Sequence, residues 1–406
     1  MRIVSLIKNE KAWHAVQIGT MCSLAYLGVY FARNILGAVT PQIIEEGRRT
    51  TESIGTMSST YFVMYALGQL VNGQIGDRIK ARYMISCGLF FAGICLCFLP
   101  AVMERELLSC VVYGLAGVFL SMIFAPMTKV VAENTDPIYA PRCSLGYTFA
   151  SFLGTPLAGF TAAILVWRWV FRSCSAALMI MGAVCFVVFG LFERRGIVSY
   201  GHYQPPVRQG LGKIRVLIEH RIVKFTLIAI VTGIVRTSVV FWMPTYLNQH
   251  LGFATDTAAK IFTVATVCIA MASPTAIFAF ERLKRNMDLT IFLAFSLSAV
   301  FFLLVFFVPG RVGNILCLVL AIFCSNCASS VLWARYCPSL RDTGMVSSAS
   351  GFLDFISYMA AAASSKIFAN AVAVIGWANL ILVWFGLMVF GILVSIPIQK
   401  KKAALS

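Results

Sequence analysis

Apolar stretches of about 20 residues recur along this chain between short polar breaks. A helix rising 1.5 Å per residue crosses a bilayer in about 20 apolar residues. Runs of that length fall near 17–39, 57–75, 83–103, 107–131, 144–166, 173–192, 225–247, 257–280, 289–308, 314–337, 345–369 and 378–397. Twelve membrane-spanning helices are therefore expected. Lipid offers no partner to a free backbone N–H or C=O, which leaves helices or a closed barrel. The ten-residue alternation of barrel strands is absent. The first run carries Arg33 and is too long for a signal-peptide core, so it is expected to be retained as the first span.

Composition narrows the class. The 406 residues are 59% hydrophobic and only 12% charged, with a mean hydropathy of +0.84. That is about half the charge of an ordinary soluble domain, which argues against a soluble enzyme, a nucleic-acid-binding domain or a disordered chain. The expected class is an all-α, multi-pass integral membrane protein. Lys and Arg number 33 against 16 acids. With the N-terminus inside, the inner segments hold 21 of those bases and the outer loops six. The positive-inside bias then places both termini in the cytoplasm, in a cell (inner) membrane.

The longest loop, 193–224, contains Pro205-Pro206, several glycines and the basic amphipathic stretch Lys213 to Ile218. It reads as a linker lying on anionic headgroups. It separates an N-terminal six-helix bundle, 1–192, from a C-terminal one, 225–406. The two halves repeat a pattern: Arg33 precedes Pro41 by eight residues, and Arg236 precedes Pro244 by eight. The 2–3 loop, Gly76-Asp77-Arg78-Ile79-Lys80-Ala81-Arg82, has a degenerate copy in Glu281-Arg282-Leu283-Lys284-Arg285. Six-plus-six duplication is a common plan for membrane carriers.

Six bases fall within or at the ends of spans: Arg33, Lys129, Arg236, Lys260, Arg335 and Lys366, against one acid, Asp354. A base at the bilayer centre costs about 2.5–3.5 kcal/mol on insertion scales. A water-filled cavity with surplus positive charge resolves the imbalance and attracts anions. Lys129, Lys260 and Arg335 lie where long side chains snorkel. Arg33 and Arg236 lie deeper, at the duplicated positions. Guanidinium forks its donors onto phosphate or carboxylate oxygens, so these two are the leading candidates to bind an anion, with Lys366 a weaker one. Tyr26, Tyr30 and Arg33 share one helical face, and Tyr61 and Tyr65 pair likewise on the second span. Tyr26, Tyr30 and Tyr65 are candidate donors to the same anion, although packing is the commoner reason for such spacing. The glycines Gly68, Gly73, Gly76, Gly146, Gly154 and Gly159 allow close helix approach.

The 13 cysteines lie almost entirely in apolar runs and read as small hydrophobes. Cys324-x-x-Cys327 sits in an apolar helix without a paired His. No disulfide framework, metal site, cofactor or catalytic triad is expected, and the chain is not expected to be an enzyme.

The chain resembles the major facilitator superfamily and, within it, the organophosphate:inorganic phosphate antiporters (glycerol-phosphate and hexose-phosphate transporters). Gly76-Asp77-Arg78 through Arg82 resembles the superfamily's 2–3 loop signature, which implies a gating role for Asp77, Arg78 and Arg82. Tyr30-Phe31-Ala32-Arg33-Asn34 through Pro41 to Glu46-Gly47 is similar to the antiporters' first span. Arg236 through Trp242-Met243-Pro244-Thr245-Tyr246-Leu247 is similar to their seventh. The resemblance implies two pseudo-symmetric six-helix bundles, a phosphate gripped by Arg33 and Arg236, and exchange with inorganic phosphate by alternating access in a monomer. Positions that hold lysine, lysine, histidine and aspartate in the family are here Asn34, Gln69, Ser151 and Phe241, so a larger or more apolar phosphorylated substrate, or a different organic anion, is expected. Alternatives are a proton-coupled carrier of another organic anion, or a non-transporting sugar-phosphate sensor such as the family also contains.

Overall fold

The computed structural model describes residues 10–75, 79–136, 138–200, 218, 220–340 and 346–396. Among them the regular structure is entirely helical. In chain order the helices are α1 (Glu10–Glu45), α2 (Thr51–Ile75), α3 (Ala81–Val102), α4 (Glu106–Ser121), α5 (Phe124–Asn134), α6 (Ala140–Ile164) and α7 (Trp167–Arg194). After the central segment come α8 (Ile222–Ile234), α9 (Val240–Gln249), α10 (Thr255–Ala270), α11 (Ala272–Arg282), α12 (Met287–Phe307), α13 (Arg311–Val331) and α14 (Val346–Ser395).

Nine segments among the described residues are long and apolar enough to cross a membrane. In that count α4 runs on into α5, α8 into α9, and α10 into α11. The helices α2 and α6, of 25 residues each, have spanning length with more polar residues. The last span, α14, breaks at Gly376, whose φ of 75° is open to glycine but strained for other residues, so it is two helices joined at a kink. That gives the twelve passes expected from the hydropathy pattern. Several helices outrun the apolar core: α1 begins at Glu10 rather than near residue 17, and α7 at Trp167 rather than 173.

Two passes in the second half contain π-turns, Val235–Val239 between α8 and α9 and Leu332–Tyr336 after α13. A π-turn admits one extra residue per turn and occurs mostly as a single turn within a helix, often at functional sites.

The chain divides into two compact units. The first comprises residues 1–209 with 240–267 and 361–373; the second comprises 210–239, 268–360 and 374–406. In the first, α3 and α7 meet through small residues: a side chain on Gly182 would lie 2.9 Å from the Ser86 carbonyl oxygen, and Ser175 donates to the Gly93 carbonyl at 2.7 Å. The Gln42 amide on α1 donates to the carbonyls of Ala162 (2.8 Å) and Leu165 (3.3 Å), closing the C-terminal end of α6. In the second unit, Asn286 caps α12 by accepting from the Leu289 N–H. Lys224 binds the Ser395 and Ile396 carbonyls at the end of α14. Asp288 holds both Arg221 (2.6 Å) and Lys224 (3.1 Å).

Candidate functional site

Arg33 is 5% exposed, a buried charge in the middle of α1. Its guanidinium carbon lies over the Tyr30 ring at 5.1 Å and over the Phe62 ring of α2 at 5.4 Å. Each such contact contributes about 0.5–1 kcal/mol when exposed and about 2 when desolvated. The helical spacing that put Tyr26, Tyr30 and Arg33 on one face is realised, with Tyr26 edge-on to Tyr30 at 5.1 Å. Tyr26 also meets Phe124 (5.6 Å) and Tyr147 (6.0 Å). Tyr65 joins this wall indirectly: Phe62 contacts Tyr61 (5.3 Å), which stacks on Tyr65 (6.0 Å) and Tyr113 (4.6 Å). Gly154 of α6 lets the wall close. A Cβ there would sit 2.5 Å from the Tyr30 Cβ and 2.7 Å from the Phe31 nitrogen, so α6 meets the backbone of α1 within a turn of Arg33. The Asn34 amide turns back to its own helix and donates to the Tyr30 carbonyl at 2.6 Å.

Arg236 belongs to the second unit. It is half-buried within the π-turn Val235–Val239, whose other residues are buried. Next to it α8 packs on α14: a Cβ on Gly233 would lie 2.9 Å from the Ser357 carbonyl oxygen, and Ser357 donates to the Ala229 carbonyl at 3.0 Å. Lys366, in the first unit, is exposed, whereas its neighbour Ser365 is fully buried. Its surroundings thus differ from those of Arg33.

The motif Trp242 to Leu247 is a packing element. All six residues are buried, in the part of the seventh pass that joins the first unit. The Trp242 indole donates to the Ser365 carbonyl at 3.3 Å, and Ser365 donates to Ser58 at 3.0 Å. Gly37 faces the Phe241 carbonyl oxygen, 2.9 Å from where a Cβ would lie. Gly55 leaves 2.4 Å from a Cβ to Ala369, and Gly159 leaves 2.5 Å to the Thr263 hydroxyl. Phe62, Tyr113 and Gly37 were not legible as site residues, because in the sequence they are ordinary members of apolar runs.

Of the three gating candidates, Asp77 and Arg78 lie outside the described residues, as does the stretch 213–217 of the basic linker. Arg82 opens α3 and lies against α7. It sits 3.8 Å from Glu193 and its guanidinium lies over the Phe186 ring at 4.0 Å. Gly190 leaves it room, since a Cβ there would be 2.7 Å from the guanidinium carbon. Its backbone N–H donates to the Tyr200 hydroxyl at 3.3 Å, and Ser199 N–H donates to Asn134 at 2.6 Å. Burial pushes the Tyr200 phenol above its usual range. The second unit has a counterpart, Arg335, 3.8 Å from Glu281 and over Phe280 at 5.0 Å. Glu281 is the acid of the degenerate loop copy.

A cavity of about 580 Å³ is lined by Gln42, Glu45, Glu46, residues 162–166, Thr255 and Asp256. Three carboxylates make it a poor place for an anion. The ring-lined surroundings of Arg33 carry the complementary charge.

A sequence model of the Major Facilitator Superfamily matches residues 22–365. The "Membrane sensor protein UhpC" of Salmonella typhimurium is 32% identical over 71 residues, covering 18% of this chain and 16% of that protein. A "Probable hexose phosphate transport protein" of Chlamydia trachomatis is 22% identical over 194 residues, covering 47% and 41%. The "Glycerol-3-phosphate transporter" of Bacillus subtilis is 20% identical over 255 residues, 57% of each chain. The matched stretches thus span between a sixth and somewhat more than half of these relatives. Among solved structures, the xylose transporter XylE from E. coli superposes with a TM-score of 0.74 at 12% identity, covering 94% and 96% of the chains. A bacterial homolog of the human lysosomal transporter Spinster gives 0.74 at 12%, covering 94% and 93%. At such identities these two establish the fold alone.

Proposed function

The chain belongs to the major facilitator superfamily, and from that premise we propose that it is a secondary transporter of a phosphorylated organic anion, exchanging it for inorganic phosphate by alternating access. The observation that carries this reading is Arg33, a guanidinium buried to 5% exposure in a wall of aromatic rings. Its duplicated partner, Arg236, occupies the matching place in the second half of the sequence. A permanent positive charge in an apolar wall attracts an oxyanion, and the guanidinium fork matches two of its oxygens. The relatives named for hexose phosphate and glycerol 3-phosphate transport support a phosphate ester as the organic partner.

In this reading Arg33 and Arg236 bind the phosphoryl group, and Tyr30, Tyr26 and Tyr65 line the path beside it. Lys366 has the weakest claim because it is exposed where Arg33 is buried. Asp77, Arg78 and Arg82 gate the inner side, the bundles 1–192 and 225–406 are the moving parts around the linker 193–224, and the protein works as a monomer in the inner membrane with both termini cytoplasmic. Coupling requires only that each anion binds both facing states while the empty carrier reorients slowly.

The test is exchange in proteoliposomes loaded with phosphate. Labelled glycerol 3-phosphate or a hexose 6-phosphate is expected to enter only against internal phosphate, and Arg33→Lys is expected to stop it. Entry that ignores internal phosphate but dissipates a proton gradient favours proton coupling instead. A second reading has its own support: the stretch 32% identical to a membrane sensor. Binding of a sugar phosphate without flux selects it.

A further inference from the structure

We propose that Phe62 is a positioning residue for Arg33, fixing the guanidinium where it meets an anion and so setting the affinity of the site. The inference rests on the anion-binding reading of Arg33 but concerns a residue that reading does not use. Phe62 comes from α2, a different helix from Arg33, and is 2% exposed. Its ring lies under the guanidinium carbon at 5.4 Å, while the Tyr30 contact at 5.1 Å comes from the same helix as Arg33. Phe62 is thus a ring through which a second helix fixes the lateral position of the charge.

The chemistry suits the task. A ring face holds a cation through its quadrupole and does not itself engage the guanidinium N–H donors. Phe62 is itself fixed, edge-on to Tyr61 at 5.3 Å, and Tyr61 is stacked on Tyr113 of α4 at 4.6 Å. The guanidinium is therefore referenced through rings to three helices, α1, α2 and α4. A guanidinium that need not be ordered on binding meets its anion at lower entropic cost.

The experiment uses the full-length protein in detergent and compares Phe62→Leu, Phe62→Met and Phe62→Tyr with wild type. One arm measures the rate at which phenylglyoxal modifies Arg33, read by mass spectrometry without ligand. The other measures the apparent KM and maximal rate of phosphate exchange in proteoliposomes, with inorganic phosphate as probe. The expected result is a several-fold faster modification of Arg33 and a roughly tenfold higher KM in the Leu and Met variants, with little change in maximal rate. Tyr, which keeps the ring face, is expected to restore both. Tenfold corresponds to about 1.4 kcal/mol. Met keeps most of the volume, so a Leu variant that fails to fold leaves the comparison intact. Unchanged modification of Arg33 overturns the inference, and so does an unchanged KM in a protein that exchanges phosphate. Should wild type neither bind nor exchange phosphate, the transport reading fails on its own, and the modification rates alone decide whether Phe62 positions Arg33.

Discussion

Arg33 and Arg236 sit at matching places in the sequence repeat, eight residues before a proline in each half, yet different local structures present them. Arg33 projects from α1, which is helical from Glu10 to Glu45, and its charge is held over rings from two helices. Arg236 projects from a π-turn and is half-buried among Val235, Thr237, Ser238 and Val239. An uninterrupted helix with a ring clamp fixes one position for its cation. A π-turn can pass to α-helix by shifting one residue of register, which re-aims its side chains by about a residue's rotation. The comparison predicts a fixed charge on one half of the repeat and an adjustable one on the other.

The sharpest way to break this comparison is to exchange each arginine for lysine. Lysine keeps the charge but loses the planar fork. At the fixed site an ammonium cannot reproduce the geometry, and Arg33→Lys is expected to reduce exchange at least ~100-fold, about 2.8 kcal/mol at 1.4 kcal/mol per decade. At the adjustable site some loss is recovered, and Arg236→Lys is expected to cost about tenfold. Equal losses, measured as initial rates in proteoliposomes, would erase the distinction.

Next in size is the backbone contact that supports the fixed side. Gly154→Val places side-chain atoms where a Cβ alone is already 2.5 Å from Tyr30. Overpacking of this kind costs about 1–3 kcal/mol, visible as a fall in the thermal midpoint. Gly386→Ala, with nothing within 4 Å, serves as the control that should not fall. A smaller effect is expected from Ser58→Ala, which removes the partner of Ser365. Interhelical hydrogen bonds in membranes average about 0.6 kcal/mol, so a drop well above that would point to a larger role for this pair.

The smallest effect is a pH dependence at His250, on the turn after α9. Partial desolvation holds its imidazole below the usual 6.5, and because the residue is largely exposed the folded protein prefers the neutral ring only slightly. The associated stability is complete above about pH 6.5 and is lost as pH falls through the lowered value. The thermal midpoint should decline slightly more steeply below pH 6.5 in wild type than in His250→Gln. Identical slopes would show that His250 does not contribute to the pH dependence of stability.

Much of this was legible in the sequence, for stated reasons. Spans follow from hydropathy because lipid forces every backbone group to pair within its helix. The Tyr26–Tyr30–Arg33 face follows from helical periodicity alone, and the contacts obey it. Trp242 to Leu247 stood out as a motif, but its burial against Ser365 depends on residues more than 120 positions away. The π-turn at Val-Arg-Thr-Ser-Val has no proline or glycine to announce it. Phe62 is one of 32 phenylalanines, and nothing local distinguishes a ring beneath a guanidinium from one facing lipid. Hydropathy marks the apolar core of a span but not the helix ends, since polar residues continue the helix beyond it, as at Glu10 and Trp167.

In the function proposed, Arg33 and Arg236 serve one anion. This sharing is tested most directly by thermal-shift titration of purified protein with a hexose 6-phosphate, since a ligand that binds the folded state raises its midpoint by mass action. Wild type should shift with the phosphate ester and not with the free sugar, and both Arg33→Ala and Arg236→Ala should lose the shift. A full shift surviving in either variant would mean that the two arginines do not share one anion.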